Sequence, residues 1–119
     1  MASPQRGEIW FAKLPTDLPE KRSRPLVVVS VNARNNHPRA ETVLAVPLTT
    51  SVHRDEILTH LVLEPGQTGL RERQLARAED VTVIRKTSLN PPRERLRTLT
   101  SHQVCELARM VEVAMGCLG

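Results

Sequence analysis

Two short stretches carry side chains able to act on a phosphate. In "EKRSRPLVVVS", Glu20 to Ser30, the cations Lys21, Arg22 and Arg24 crowd the entrance to an apolar run, and Pro25 follows the last of them. A residue before proline is confined to extended conformations, so Arg24 is held at the mouth of a strand with its guanidinium directed outward by the pleat. In "PLTTS", Pro47 to Ser51, a second apolar run ends in three hydroxyls. A guanidinium is a planar fork suited to phosphate oxygens, and hydroxyls at a strand end can donate to the same oxygens. Plainer readings of both stretches stay open. Arg24 could be a strand-edge charge paired with an acid, and hydroxyls commonly close turns.

The elements that must hold these groups are short. At 119 residues the chain is expected to form one domain, 1–119. Glu8 to Leu14 reads as a first strand, followed by a loop from Asp17 to Ser23. Leu26 to Val29 reads as a strand covered on both sides, with Pro25 at its start, where a missing N–H is tolerated. Asn32 to Glu41 reads as a loop, Thr42 to Thr49 and Ile57 to Glu64 as strands, and Pro65-Gly66 as a turn. Val81 to Arg85 reads as a strand, and Gln74 to Ala78 as a short strand with a helical turn as the other reading. Thr100 can cap a terminal helix with Gln103 three positions on, and Leu99 with Val104 forms the hydrophobic staple. Val104, Leu107, Ala108, Val111, Met115 and Leu118 make one apolar stripe on that helix, and Met110, Val113 and Cys117 a second. Two stripes exceed what one core needs, which suggests a homodimer contact; a deeply buried helix is the other reading. The fold class expected is mainly β with a C-terminal α-helix, an antiparallel barrel or curled sheet with the helix packed on it.

Composition narrows the partners. The formal charge is +4, and arginine far outnumbers lysine among the 17 basic residues, which favours phosphate or carboxylate partners. Trp10 and Phe11 are the only aromatics, so a base-stacking platform of the usual kind is largely unavailable and nucleic acid would be gripped by hydrogen bonds and charge. No stretch approaches the roughly 20 apolar residues of a membrane span, and Met1 to Gly7 has no signal-like run; a cytoplasmic location without membrane attachment is expected. His37, His53, His60 and His102 are scattered and no Cys/His cluster has ligand spacing, so neither metal nor cofactor is expected. Cys105 and Cys117 are expected to be reduced core or interface residues.

In order and spacing the chain resembles the MazF/PemK family of ribonuclease toxins. The resemblance runs through "RGEIWFAKL" at Arg6 to Leu14, "RPLVVVS" at Arg24 to Ser30, "TVLAVPLTTS" at Thr42 to Ser51, "THLVLE" at Thr59 to Glu64, and Gly69-Leu70. It implies a small SH3-like barrel, a homodimer with its site near the subunit junction, and Arg24 and Thr49 as catalytic residues. It also implies an antitoxin whose acidic, disordered tail folds onto the toxin. The implied reaction is metal-independent cleavage of single-stranded RNA by the substrate's own 2′-hydroxyl, leaving a 2′,3′-cyclic phosphate and a 5′-hydroxyl. Sequence reading would fall to polar groups in the loops, Glu20, Lys21, Ser51, Thr59, Glu79 and Asp80, with Arg22 as a further RNA-binding residue of the basic cleft. Departures from the family pattern include Pro19 and Glu20 ahead of the Arg-Pro pair, Asp80 where Gln is usual, and Gln74 where Ser is common, and they bear on which RNA word is read. Two other functions compete: a gyrase-poisoning toxin like CcdB, for which "VAMGCLG" lacks the aromatic tip, and a barrel that binds nucleic acid without cutting it.

Overall fold

The structure, a computed structural model, describes residues 3–14, 17–18, 22–50 and 58–116. Six strands pair antiparallel throughout: β1 (Ile9–Ala12), β2 (Arg24–Val28), β3 (Thr42–Thr49), β4 (His60–Leu63), β5 (Gln74–Arg77) and β6 (Thr82–Arg85). Their order is β1-β2-β3-β5-β4, with β6 also on β3. Strand pairing among the described residues does not close the sheet into a full barrel.

β3 is the hub. It pairs with β2 through Leu26↔Pro47 to Val28↔Ala45, with β6 through Thr42↔Arg85 to Ala45↔Thr82, and with β5 through Leu48↔Ala76 and Thr49↔Leu75. Pro47, which has no N–H to give, falls between the β6 and β5 ladders, where one fewer donor is tolerated. Pro25 faces Phe11 across β1, and Phe11 directs both of its backbone groups to Asn90 instead, at 2.9 and 2.7 Å.

Side-chain alternation sends the strands into two clusters. Ile9, Val27, Val46, Leu48, Leu63 and Ala76 pack with Val104 and Leu107 of the terminal helix. Ala12, Leu26, Val28, Val43, Ala45 and Ile84 pack on the opposite face with Leu14 and Leu89. Leu26, Val27 and Val28 are each fully buried, so the continuous apolar run in β2 reflects cover on both faces.

Among the described residues two single-turn α-helices join strands, and a 15-residue α-helix follows the last strand. α1 (Asn32–Asn35) corrects the loop expected from Asn32 to Glu41. It has no apolar periodicity; its anchor is the buried Asn35, whose Nδ2 donates to the Ser30 carbonyl at 2.8 Å while its Oδ1 accepts from the Ser30 hydroxyl at 2.5 Å. α2 (Pro65–Thr68) turns the expected Pro-Gly bend into a helical turn with Pro65 at its start and a capping box between Glu64 and Gln67. α3 (Ser101–Met115) starts as expected: Thr100 Oγ1 accepts from the Gln103 N–H at 3.2 Å and Gln103 Oε1 accepts from the Thr100 N–H at 2.8 Å.

α3 also brings two corrections. Cys105 is free and, against the core reading, exposed, because it follows the buried Val104 around the helix and leaves the core face; the interface reading is untouched. Met115 is 70% exposed at the helix end, so the expected core stripe stops short of it. Cys117 and Leu118 lie outside the described residues.

Candidate functional site

Arg24 opens β2 and Thr49 closes β3. Carried two residues past Leu26↔Pro47, the β2–β3 register sets Arg24 level with Thr49, and residues directly opposite in an antiparallel pair point to the same face. Arg24 therefore shares a face with Leu26 and Val28, and Thr49 with Pro47 and Ala45. The two expected catalytic residues come together at one end and one face of neighbouring strands.

Arg24 is not unpartnered. Its Nη1 lies 3.4 Å from Asp17 Oδ1, with the arginine side chain 26% exposed and the aspartate 9%. The plainer reading, a strand-edge charge paired with an acid, is thus realised in this structure. The contact is long and engages one of five guanidinium donors, so the arginine keeps capacity for an anion. Asp17 is itself fixed by the turn it closes, where its N–H donates to the Leu14 carbonyl at 3.0 Å.

The same face continues onto β5 and β4. Thr49 lies opposite Leu75, Leu75 opposite Val62, and Arg77 opposite His60. Around the β4–β5 end a polar group is assembled on Glu79. The Thr59 hydroxyl donates to Glu79 Oε2, His60 Nε2 meets Oε1 at 2.5 Å, and Arg77 Nε donates to Oε1 at 3.2 Å. Asp80 joins through Arg77 at 3.3 Å. Burial pushes the Glu79 carboxyl up, but the hydrogen bonds from Thr59, His60, its own backbone and Arg77 outweigh it and hold the pKa at about 2.

Of the expected base-reading groups, Thr59, Glu79 and Asp80 are brought together here, while Arg22 is exposed beside Arg24. Glu20, Lys21 and Ser51 lie outside the described residues. Asp17, His60 and Arg77 were not singled out from sequence. Glu79 and His60 are 19 residues apart and meet only through the β4–β5 register, a pairing that no local pattern announces. Among the described residues no group of three His, Cys, Asp or Glu could hold a metal ion, and no helix is long and apolar enough to cross a membrane.

A family model described as PemK-like, MazF-like toxin of type II toxin–antitoxin systems matches residues 5–115. The chain belongs to that family. An endoribonuclease from a mycobacterial species is 27% identical, with a TM-score of 0.72 over 98% of this chain and 94% of that one. A mycobacterial endoribonuclease in complex with its cognate antitoxin is 24% identical, with a TM-score of 0.70 over 96% of each chain. A MazE–MazF complex from Deinococcus radiodurans is 18% identical, with a TM-score of 0.72 over 97% and 98% of the two chains. No curated protein matches the chain. This MazF-like chain therefore has its Arg-Pro and Pro-Leu-Thr steps on adjacent strand ends of a fold shared with those structures.

Proposed function

We propose that this MazF-like protein is an endoribonuclease toxin that cleaves single-stranded RNA without metal, using the substrate's 2′-hydroxyl as nucleophile. The observation that carries the reading is the common face of Arg24 and Thr49 at adjacent strand ends, where the β2–β3 register, extended by two residues, sets them level. As the 2′-oxygen attacks phosphorus and the 5′-oxygen leaves, negative charge grows on the phosphoryl and leaving oxygens, and preorganised donors must meet it. Arg24, whose guanidinium offers donors and no acceptor, stabilises that charge and does not act as a base. Thr49 donates to a nonbridging oxygen.

Sheet geometry separates the Glu79 group from this chemistry. His60 is two strand spacings across and two residues along from Thr49, about 12 Å between Cα atoms. His60, Arg77 and Glu79 thus suit a neighbouring nucleotide, with Thr59 and Asp80 beside them, and Arg22 suits a phosphate near Arg24. The functional unit is a homodimer, and a cognate antitoxin silences it by laying an acidic tail over the same cationic surface. An endoribonuclease related at 27% identity and an antitoxin complex within the shared fold support this reading.

The test is cleavage of labelled single-stranded RNA in EDTA by purified protein. Cleavage to cyclic-phosphate ends is expected, nearly abolished in Arg24→Ala and slowed about a hundredfold in Thr49→Ala, the usual cost of one such donor. Parental cleavage by Arg24→Ala, or a requirement for metal, refutes the assignment.

A further inference from the structure

We propose that a groove on the face of the β1–β2 ribbon opposite Arg24 is a second nucleotide site, which holds an amine-bearing RNA base flanking the cleaved bond. The inference rests on the RNA reading above and extends it to a separate surface. The groove measures about 1040 Å³ and is lined by Phe11, Pro25, Leu70 and Leu96, with Gln74 among its buried residues. Phe11 pairs with Pro25, and Gln74 with Leu63. These positions alternate with Arg24, Thr49 and Leu75, so the groove lies behind the candidate catalytic face.

The decisive group is Gln74. It is 4% exposed, its Nε2 donates to the Glu72 carbonyl at 3.3 Å, and its Oε1 is buried without a hydrogen-bond partner among the described residues. The Glu72 carbonyl fixes which amide atom is the oxygen, since flipping the amide would set two acceptors against each other. Buried acceptors left unpaired are rare, and one carried by a side chain that lines a groove suits an occupant that brings an N–H once the amide turns toward it. Phe11 offers the half-buried ring on which a base can stack.

The rim matches a phosphate backbone. Lys13, Arg22 and Arg93 make no ion pair or hydrogen bond among the described residues, whereas Arg71 is tied to Glu94 at 3.8 Å. Glu72 is the other acid on the rim, and the balance stays positive. Gln74 adjoins Leu75, which lies opposite Thr49, so a short run of nucleotides can span both faces over the strand end. An exocyclic amine, that of adenine or cytosine or the N2 amine of guanine, directed at Gln74 Oε1, completes the site.

Non-cleavable 2′-O-methyl oligonucleotides carrying a cut sequence test this, with each adenine, cytosine or guanine replaced in turn by the analogue lacking the amine. One position should weaken binding about five- to tenfold in the parent, the worth of one hydrogen bond, and less than about twofold in Gln74→Met, which keeps length and packing. The Gln74 side-chain amide resonances should shift on binding in the parent whether or not RNA is cut. If cleavage and binding occur but no amine deletion separates parent from variant, the groove proposal fails and the ribonuclease reading stands. If RNA is neither bound nor cut, both fail. Amide shifts induced by an oligoglutamate peptide and not by the oligonucleotide, or by raising protein concentration alone, overturn it in favour of a peptide or a second copy.

Discussion

At the scale of single residues, the Arg24 guanidinium already has an acid beside it. Asp17 occupies one donor of the Arg24 guanidinium and competes with an incoming phosphate for its charge. Partly exposed pairs of this kind contribute about 0.2–1 kcal/mol, so Asp17→Asn should tighten RNA binding by up to about fivefold. Titration with non-cleavable RNA measures this, and weaker binding would show that Asp17 positions the guanidinium and does not mask it. Glu79 makes a pH prediction. Its carboxyl falls from 4.5 in the unfolded chain to about 2 in the fold. A depressed carboxylate stabilises the native state fully above the unfolded value and loses that contribution as pH falls through the folded one. Denaturation between pH 4.5 and 2 should show a decline that Glu79→Gln reduces, with both proteins changing alike above pH 5. Equal declines in the two proteins would place the Glu79 hydrogen bonds outside the stability of the fold.

At the scale of elements, the junction of β1, β2 and α3 depends on one glycine. Gly7 has φ +90°, its N–H donates to the Val28 carbonyl at 2.7 Å, and its own carbonyl accepts from Leu99 at 2.9 Å. A Cβ there would sit 2.8 Å from the Leu99 carbonyl oxygen, so Gly7→Ala combines a left-handed backbone penalty with a backbone overlap. A loss of about 2–4 kcal/mol in urea unfolding is expected, and a loss under about 0.5 kcal/mol would mean the junction yields freely. Elements with local signals were legible: β2 and β3 as apolar runs and α3 from its capping box, with Arg24 opening β2 and Thr49 closing β3. α1 was not, because it is a single turn held by Asn35 reaching back to Ser30, with no apolar spacing to see. The His60–Glu79–Arg77 group was hidden for a related reason, since its members meet across a strand pair whose register no short window contains. β4 begins later than its apolar run suggested, at His60, where pairing with Arg77 starts.

At the scale of the molecule, charge and shape act together. α3 buries Val104 and Leu107 but leaves Val111 and Val113 half-covered, an apolar margin suited to the proposed second subunit. A net charge of +4 per chain would double in that dimer, raising the encounter rate with RNA and with an acidic antitoxin tail alike. Competition for one cationic surface then has a measurable signature. Each phosphate bound by single-stranded nucleic acid contributes about −0.7 to the slope of log affinity against log salt. If Arg24 and the three rim cations Lys13, Arg22 and Arg93 each meet one phosphate, binding of non-cleavable RNA should show a slope of about −3 per chain. Lys13→Ala and Arg22→Ala should each lower its magnitude by about 0.7 and weaken all RNA sequences alike, because phosphate contacts carry no sequence information. A slope that stays at the parental value in both variants would remove those cations from the RNA path, and with them the continuity between the two faces.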